Sequence, residues 1–378
     1  MMTILFDARA AYLYPGTGLG TYSRQLLLQF LRSGLDLGEE IYYWRPHRRI
    51  GSAQLRKDLI RLANTLEKEP RFWAALMEKP VCERGVSLLH LPNNGLGGKP
   101  PAGAGLVVTI HDLIPYIMPE TCSKEYLKIF TEQMPYVVER AARIIAVSNH
   151  TRLDLERTFD LDPQKILVIP EAPDPIYRPM GQQAVRAALR EVYGLDSPFI
   201  LYIGGFSPRK NLTALIRAYA RVRLDLVCPH ELVIIGKPGK GSYPDCRKLV
   251  SSLRLDRWVR FPGFVPTRML PYFYNAASAF VYPSLYEGFG LPPLEAMACG
   301  TPTITSDSSS LPEVVGDGAL RTASDPISLA QAIAEVVNQP QKAADLRRLA
   351  LNRAGQFSWR RTAWLVAALY RDFLRYCY

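Results

Sequence analysis

The sequence predicts an α/β protein made of two doubly wound domains with largely parallel sheets. Short runs rich in Ile and Val alternate with longer segments of helical period, a pattern typical of buried parallel strands in βα units. The strand-like runs lie at 4–6, 106–110, 144–147, 166–169, 199–203, 232–235 and 279–282. Because the chain has 378 residues, it is long enough for two or three domains of ordinary size.

A proline-rich segment at 170–179 separates the two domains. Four prolines in ten residues are incompatible with a helix or a central strand, and the alternation of strands and helices restarts after them. We therefore expect one domain over 1–175 and a second over 176–357. Near the end of the chain, Ser358 precedes a segment of helical period and is placed to cap a last helix.

Composition and charge exclude several classes of protein. Hydrophobic residues make up 48% of the chain and charged residues 21%, which is the mix of a globular protein rather than a disordered one. The net charge of +11 favours anionic partners such as nucleotide phosphates, but no nucleic-acid-binding motif accompanies it. The six cysteines are scattered without metal-ligand spacing. The chain opens on a strand-like run rather than a signal peptide, and no apolar run reaches the ~18 residues of a membrane span. We expect a cytoplasmic protein that binds no nucleic acid.

Segment 45–79 carries about half of the net charge, with nine Lys/Arg against four Asp/Glu. Leu55, Leu59, Leu62 and Leu66 recur at helical spacing and form one apolar stripe. One interpretation is a helix that faces the core and has a solvated basic side. The other is a helix at an anionic membrane surface or at a lipid-linked acceptor, which would place the protein at the periphery of the inner face of the membrane.

The densest chemical signal lies in segment 282–302, where a strand-like run is followed by glycines and then by two prolines. Prolines suit the first turn of a helix, and Gly300 is placed to end it. A strand, a glycine turn and a helix N-terminus form an anion site, because free backbone N–H groups and the helix dipole favour negative charge. Glu287 and Glu295 could flank a bound diphosphate and accept hydrogen bonds from hydroxyls on both sides of it. The pattern fits a sugar and a ribose joined through a diphosphate.

Further candidates follow other strand-like runs. Arg209 and Lys210 come after a Gly-Gly turn, where two adjacent cations could neutralise a departing diphosphate. The alternative is an ordinary exposed basic pair. His111 directly follows the run 106–110 and so lies at the carboxyl end of a parallel strand, where α/β proteins bind ligands.

Two other motifs give weaker signals. Segment 16–20 follows the first strand and opens a helix at about Tyr22, but it lacks the G-x-G-x-x-G spacing of a dinucleotide site. Asp160 and Asp162 form the D-x-D pattern that metal-dependent sugar transferases use. No apolar strand precedes them, however, so we expect a solvated turn.

Segment 282–302 resembles the E-x7-E motif of the retaining glycosyltransferases of family 4, which have the GT-B fold of two Rossmann-like domains with an interdomain cleft. The resemblance covers essentially the full chain and extends through segments 204–212, 261–265, 309–314 and 357–359. It implies that the N-terminal domain binds the acceptor and that the second domain binds the nucleotide-sugar. It also implies that the C-terminal helix, over 358–378, crosses back to the N-terminal domain.

The resemblance implies roles for individual residues. Glu287 would contact the hydroxyls of the donor sugar, and Glu295 the ribose hydroxyls of the nucleotide. Lys210 and Arg209 would stabilise the leaving diphosphate, and His111 would lie close to the donor sugar. Many relatives carry an additional Arg at position 205, so Arg209 would act alone there. The remaining nucleotide-sugar-binding residues implied by the resemblance are Gly18, Gly205, Phe264, Val265, Gly288, Phe289, Gly290 and Leu291.

The reaction implied is retaining hexosyl transfer to a glycan or lipid-linked acceptor, with no metal and no other cofactor. The donor would be a GDP- or UDP-linked sugar. GDP-mannose is favoured over UDP-glucose because segments 7–9 and 16–22 look like those of mannosyl- and glucosyltransferases that build bacterial surface polysaccharides. Two alternatives remain, namely a nucleotide-sugar epimerase on the same fold and a non-catalytic partner that binds a nucleotide-sugar.

Overall fold

The computed structural model divides into two compact units. Unit 1 comprises Met1–Ala172 and Ser358–Tyr378, and unit 2 comprises Pro173–Phe357. The division falls within the proline-rich segment and again at Ser358, where the last helix rejoins unit 1. The residues that the structure describes are 3–13, 17–33, 40–45, 48–63, 85–96, 100, 102–238 and 241–377.

Within the described residues, unit 1 is built on a seven-stranded sheet of order β3-β2-β1-β4-β5-β6-β7. Neighbouring strands are parallel except β2 and β3, which pair antiparallel. The strand order therefore reverses between β1 and β4. The strands are β1 Thr3–Asp7, β2 Glu40–Arg45, β3 Arg48–Ile50, β4 Leu88–Leu91, β5 Gly105–Ile110, β6 Arg143–Ala146 and β7 Ile166–Val168.

Helices connect the strands of unit 1, and the C-terminal helix packs among them. The Trp359 ring lies 5.8 Å from that of Tyr22, between centroids, and the Tyr370 ring lies 6.1 Å from that of Phe30. Ser358 Oγ accepts a hydrogen bond from the Arg361 amide at 3.2 Å, which confirms the predicted cap. The helices are α1 Arg9–Leu13, α2 Gly18–Ser33, α3 Ser52–Ala63, α4 Ile114–Ile117, α5 Lys124–Arg140, α6 Asn149–Thr158 and, at the end of the chain, α15 Trp359–Cys377.

In its described residues, unit 2 has a six-stranded sheet of order β10-β9-β8-β11-β12-β13, with parallel neighbours throughout. Its central strands β8, β9 and β11 are buried along their whole length. The strands are β8 Phe199–Ile203, β9 Glu231–Ile235, β10 Val259–Gly263, β11 Ala279–Tyr282, β12 Thr303–Ser306 and β13 Leu320–Thr322. The helices are α7 Gln182–Tyr193, α8 Leu212–Val222, α9 Tyr243–Ser252, α10 Leu270–Ala276, α11 Leu291–Ala298, α12 Leu311–Val315, α13 Pro326–Asn338 and α14 Pro340–Ala354.

The structure confirms the α/β class and all seven predicted strand-like runs, which fall in β1, β5, β6, β7, β8, β9 and β11. One helix boundary is wrong. The helix predicted to begin at about Tyr22 begins at Gly18, because Thr17 caps it: Thr17 Oγ1 accepts a hydrogen bond from the Gly20 amide at 3.1 Å. Gly16 lies outside the described residues.

Only part of the basic segment 45–79 lies within the described residues. Its helix α3 buries Leu55 and Leu59 and exposes Arg56 and Lys57, as expected of a helix that faces a core. The Leu62 side chain and Leu66 lie outside the description, so contact with an anionic membrane stays a prediction. None of the described helices has the length and apolar character needed to cross a membrane.

Candidate functional site

The loops that follow β8 and β11 form the candidate site in unit 2. β8 pairs with β9 on one side and with β11 on the other, so the strand order reverses between β8 and β11. Ligands of open α/β sheets bind outside the carboxyl ends of the strands at such a reversal, because adjacent loops diverge there. The two loops are joined at this point by a hydrogen bond of 2.7 Å from the Leu285 amide to the Arg209 carbonyl.

Two cations converge on one carboxylate oxygen. Arg209 and Lys210 lie in the single turn Pro208–Lys210 after β8. Lys210 Nζ lies 2.5 Å from Glu287 Oε1, and Arg209 Nη1 lies 2.9 Å from the same oxygen. Lys210 also donates to the Tyr282 hydroxyl, and Arg209 donates to the Tyr286 carbonyl at 2.7 Å. The predicted trio of Arg209, Lys210 and Glu287 is thus one cluster.

Serine hydroxyls hold the loop that carries Glu287. Ser284 Oγ donates to Glu287 Oε1 at 2.5 Å, and the Glu287 amide donates to Ser309 Oγ at 2.8 Å. Ser310 Oγ lies within hydrogen-bond distance of two carbonyls, those of Glu287 at 2.9 Å and Phe289 at 2.7 Å. The carboxylate and the backbone on both sides of it are therefore fixed.

Electrostatics keep Glu287 ionised despite its burial. Both Glu287 and Lys210 are 8% exposed. Burial raises the pKa of the Glu287 carboxyl, but the charges of Arg209 and Lys210 and the hydrogen bonds from Lys210 and Ser284 outweigh it and lower the pKa to about 2. Burial and the neighbouring carboxylate raise the pKa of Tyr282 well above its usual value. The cluster therefore holds a charged carboxylate beside a neutral phenol.

The helix after this loop begins as predicted. α11 starts at Leu291 with prolines in its first turn, and Gly290 before it has a left-handed backbone with φ of 117°. A Cβ on Gly290 would also lie 2.7 Å from Leu311 Cδ2. Only glycine is compatible with this backbone conformation and this contact. Gly290 thereby sets the start of α11 in the loop after β11, where the strand order reverses.

Replacing Gly290 should destabilise unit 2 without removing any charged group. We expect Gly290→Ala to lower the free energy of unfolding by about 1–3 kcal/mol, because it combines backbone strain with the Leu311 contact. Urea denaturation measures the change. Gly205→Ala is the control, since a Cβ there would meet no atom within 4 Å, and it should stay within about 0.5 kcal/mol of wild type. Equal effects of the two substitutions would contradict this explanation.

Glu295 lies on α11 and is held by a tyrosine. Tyr274 donates its hydroxyl to Glu295 Oε2 at 3.0 Å. The Tyr177 ring packs edge-on against Tyr274, with 5.6 Å between centroids. Burial and the charge of Glu295 raise the pKa of both phenols, so both remain protonated donors. Glu295 is thereby oriented by neutral hydroxyl groups.

The other predicted residues of unit 2 lie around these loops. Phe289 is buried and packs against Phe357 with 5.9 Å between centroids. In the loop after β10, Phe264 is 42% exposed while Val265 is buried. The Gly205 carbonyl accepts a hydrogen bond from Tyr202 at 2.9 Å. Gly288, Phe289 and Gly290 are buried between Glu287 and α11, and Leu291 is the first residue of that helix.

The remaining two predicted residues belong to unit 1. Gly18 is the first residue of α2. His111 follows β5 as predicted and is almost completely buried. Its Nδ1 lies 2.8 Å from Glu171 Oε1, its Nε2 lies 2.8 Å from the Pro92 carbonyl, and its amide donates to Asn94 Oδ1 at 2.7 Å. The His111 ring is therefore engaged at both nitrogens.

Sequence reasoning missed the hydroxyl groups that hold the predicted side chains. They are Tyr282, Ser284, Ser309, Ser310 and Tyr274, and the carboxylate of Glu171 was missed with them. Ser284 and Tyr282 had a usable signal, because they lie three and five residues before Glu287. The others come from elements distant in sequence from the side chains they hold.

The D-x-D pattern at Asp160 and Asp162 forms a turn, as expected. Both residues are exposed, and Asp162 Oδ1 accepts a hydrogen bond from the Gln164 amide at 2.9 Å at the start of the turn Pro163–Lys165. Across the described part of the chain, no group of three or more His, Cys, Asp or Glu is arranged to hold a metal ion.

Comparisons with known proteins match both parts of the chain. The family model of glycosyl transferases group 1 matches residues 185–353, and that of Glycosyltransferase Family 4 matches residues 38–175. The O-antigen chain mannosyltransferase B of Escherichia coli is 34% identical over 67% of this chain and 66% of its own length. The serotype-specific mannosyltransferase WbdA of the same species is 32% identical over 68% of this chain and 32% of its own length. The chain thus spans about two thirds of the first relative and about one third of the second.

Solved structures share the fold along nearly the whole chain. The sucrose-phosphate synthase of Thermosynechococcus elongatus superposes with a TM-score of 0.72 and 21% identity, covering 99% of this chain and 100% of its own. Anabaena HepE in complex with UDP-glucose superposes with a TM-score of 0.69 and 19% identity, covering 98% of this chain and 100% of its own. These matches confirm the GT-B fold. Since the two family models together span most of the sequence, the chain belongs to the family 4 glycosyltransferases.

Proposed function

We propose that the protein is a retaining hexosyltransferase that moves a sugar from a nucleoside-diphosphate donor to a glycan or lipid-linked acceptor in polysaccharide biosynthesis. Unit 2 would bind the donor and unit 1 the acceptor. The observation that carries the proposal is the convergence of Arg209 and Lys210 on Glu287 Oε1 beside the N-terminus of α11. This cluster offers positive charge for a diphosphate and a fixed carboxylate for sugar hydroxyls.

Each part of the cluster has a chemical task in the proposed reaction. The bond from the anomeric carbon to the diphosphate oxygen breaks, and a bond from that carbon to the acceptor oxygen forms on the same face. The acceptor proton passes to the departing diphosphate oxygen, so atoms and charges balance. Arg209, Lys210 and the positive end of the α11 dipole would stabilise the charge on the leaving group. Pro292 and Pro293 at the start of this helix have no N–H to donate. The protein's own cations supply this charge in the proposal, so it requires no metal and no other cofactor.

GDP-mannose is the proposed donor, ahead of UDP-glucose. The support is that two of the relatives in sequence are mannosyltransferases by name. The fold neighbour HepE is described in complex with UDP-glucose, so the alternative donor is worth equal testing. Ribose hydroxyls occur in both nucleotides, and Glu295 would accept hydrogen bonds from them.

A turnover assay tests the proposal. The purified protein is incubated with GDP-α-mannose or UDP-α-glucose and a set of lipid-linked glycan acceptors, and released nucleotide and product are followed by chromatography and NMR. We expect transfer from one donor, slow donor hydrolysis without acceptor, and an α-linked product, in the presence of a metal chelator. A β-linked product would contradict retention. Conversion of the donor to an isomeric nucleotide-sugar would favour the epimerase, and binding without hydrolysis or transfer would favour a non-catalytic partner.

Removing the Glu295 carboxylate should weaken nucleotide binding. Loss of a charge-assisted hydrogen bond costs about 1.5–3 kcal/mol, so Glu295→Gln should raise the Kd of the preferred nucleoside diphosphate by roughly ten- to a hundredfold. Tyr274→Phe, which removes only the hydroxyl that orients Glu295, should have a smaller effect in the same direction. Equilibrium dialysis with labelled nucleotide gives the Kd of the wild type and of the two variants. Tyr272→Phe is the control, because Tyr272 lies on the same helix as Tyr274. An unchanged Kd in Glu295→Gln would refute the assignment of Glu295 to the ribose hydroxyls.

A further inference from the structure

Among the described residues of unit 1, two histidines are buried, and their hydrogen-bond partners differ in kind. His90 lies within β4 and is fully buried, and His111 lies just after β5 and is 8% exposed. Each ring is hydrogen-bonded at both nitrogens. Because a neutral imidazole carries one N–H and an imidazolium carries two, the partners determine which form each ring must take.

The partners of His90 are hydroxyl groups. Its Nδ1 lies 2.5 Å from the Tyr370 hydroxyl, and its Nε2 lies 2.9 Å from Thr109 Oγ1. A hydroxyl can donate or accept, so a neutral ring satisfies both bonds. Burial and the nearby charge of His111 lower the pKa of His90 to about 3. His90 is therefore neutral at physiological pH.

The partners of His111 can only accept. Its Nδ1 faces Glu171 Oε1 at 2.8 Å, and its Nε2 faces the carbonyl oxygen of Pro92 at 2.8 Å. An ionised carboxylate and a carbonyl have no hydrogen to give, so both ring nitrogens must donate. Only an imidazolium has two donors, and a neutral ring would leave one buried acceptor facing a bare nitrogen.

The surroundings of His111 favour this charged form. Burial alone would lower the pKa of the ring, but the hydrogen bond and charge of Glu171, the Pro92 carbonyl and the charge of Asp112 outweigh it and raise the pKa. The neutral Tyr22 ring packs perpendicular to the His111 ring, with 4.9 Å between centroids, and burial raises the pKa of that phenol. Among the described residues, the titratable groups that act on His111 are thus Tyr22, His90, Asp112 and Glu171.

We infer that Glu171 is a positioning residue that holds His111 as a fixed imidazolium cation. Resting on the proposed function, this means that His111 contributes a fixed positive charge to hexosyl transfer and does not accept the acceptor's proton, because Glu171 and the Pro92 carbonyl engage both of its N–H groups. The pair also ties the carboxyl end of β5 to the last residues of unit 1 before the chain enters unit 2. Since the pKa of His111 is raised, the pair is complete below the usual histidine pKa and is lost as pH rises through the raised value.

The ring nitrogens report the charge directly. Long-range ¹H–¹⁵N correlation spectra of the full chain, with labelled histidine, resolve protonated from bare nitrogens for its five histidines. At about pH 7.5, above the usual histidine pKa, His111 should show two protonated ring nitrogens. His90 should show one protonated and one bare nitrogen. Signals missing in His111→Gln and in His90→Gln assign the two rings. A bare nitrogen on His111 at this pH overturns the inference.

Kinetics of Glu171→Gln separate positioning from a merely structural role. The substitution keeps the shape and removes the charge, so His111 should deprotonate near or below its ordinary pKa. Donor turnover in the variant should then fall more than about tenfold between pH 6 and 8, while the wild type loses no such factor. Tyr370→Phe, which perturbs His90 instead, should keep the wild-type pH profile. A loss in Glu171→Gln that is independent of pH contradicts the inference.

A second variant tests the pair of His111 and Glu171, and the wild-type assay separates this inference from the proposed function. Glu171→Asp retains a carboxylate and should keep the doubly protonated His111 signal, which provides a test even if Glu171→Gln does not fold. Loss of that signal in a folded Glu171→Asp protein counts against the pair. If neither donor is turned over by the wild type, the proposed function fails, while the ring-nitrogen spectrum still decides the charge of His111.

Discussion

Lys210→Ala should lower kcat for hexosyl transfer by about a hundred- to a thousandfold, the usual cost of removing one preorganised donor from a developing negative charge. Lys210 is buried beside Glu287 and Tyr282, so its ammonium group is held in one place before the donor binds. The effect should fall on kcat more than on KM, because the charge of the diphosphate increases as the glycosidic bond breaks. Steady-state kinetics with the preferred donor measure both constants.

A control variant and an unfolding measurement show whether the loss of kcat is specific to the Lys210 ammonium group. Lys248→Ala removes an exposed lysine from α9 and should leave kcat unchanged. Unfolding of Lys210→Ala should remain cooperative, because Arg209 and Ser284 still bind Glu287 Oε1. A folded Lys210→Ala protein that keeps near-normal turnover would refute the role of this residue in stabilising the leaving group.

Glu287→Gln should both abolish the fixed carboxylate and destabilise unit 2. Two cations, Arg209 and Lys210, would lose their shared anion in a buried place. Removing one partner of a buried ion pair typically costs about 3–5 kcal/mol. The lowering of the Glu287 pKa to about 2, which the same two cations cause, corresponds to about 3 kcal/mol of stability at neutral pH. Urea unfolding at neutral pH should show a loss of this size, together with loss of turnover.

The pH dependence of this loss identifies its cause. Because the folded-state pKa of Glu287 is depressed, its contribution is complete above the ordinary carboxyl pKa and is lost as pH falls towards about 2. The difference in unfolding free energy between wild type and Glu287→Gln should therefore shrink over this range. A difference that stayed constant down to about pH 3 would show that the carboxylate charge is not what stabilises the cluster.

The sequence predicts the strands that are apolar without interruption and misses those in which polar residues, proline or glycine interrupt the apolar run. β8 reads Phe-Ile-Leu-Tyr-Ile and could be recognised at once, because a strand buried on both faces is apolar at every position. β12 reads Thr-Ile-Thr-Ser, and β10 contains Pro262 and ends at Gly263, so neither shows this run of apolar residues. Their place in the sheet comes from pairing with neighbouring strands, which no local pattern reveals.

The charged residues of the site could be predicted, but their geometry could not. Arg209, Lys210 and Glu287 each follow a recognisable strand, and the reversal of strand order brings those strand ends together. That Ser310, from a distant segment, holds the Glu287 loop follows only from tertiary packing. His111 shows the same limit. Its position after β5 could be predicted, while its charge depends on Glu171, which is sixty positions further along the chain.

Calorimetric titration of the purified protein with GDP, UDP and ADP, with chelator and with Mg²⁺, tests the central claim most directly. We expect one nucleotide to bind with the same affinity in both conditions, and this binding to weaken in Glu295→Gln. Such a result would establish the nucleotide site in unit 2 and identify the donor base. If none of the three bound at millimolar concentration, or if binding required the metal, the proposed donor site would be wrong.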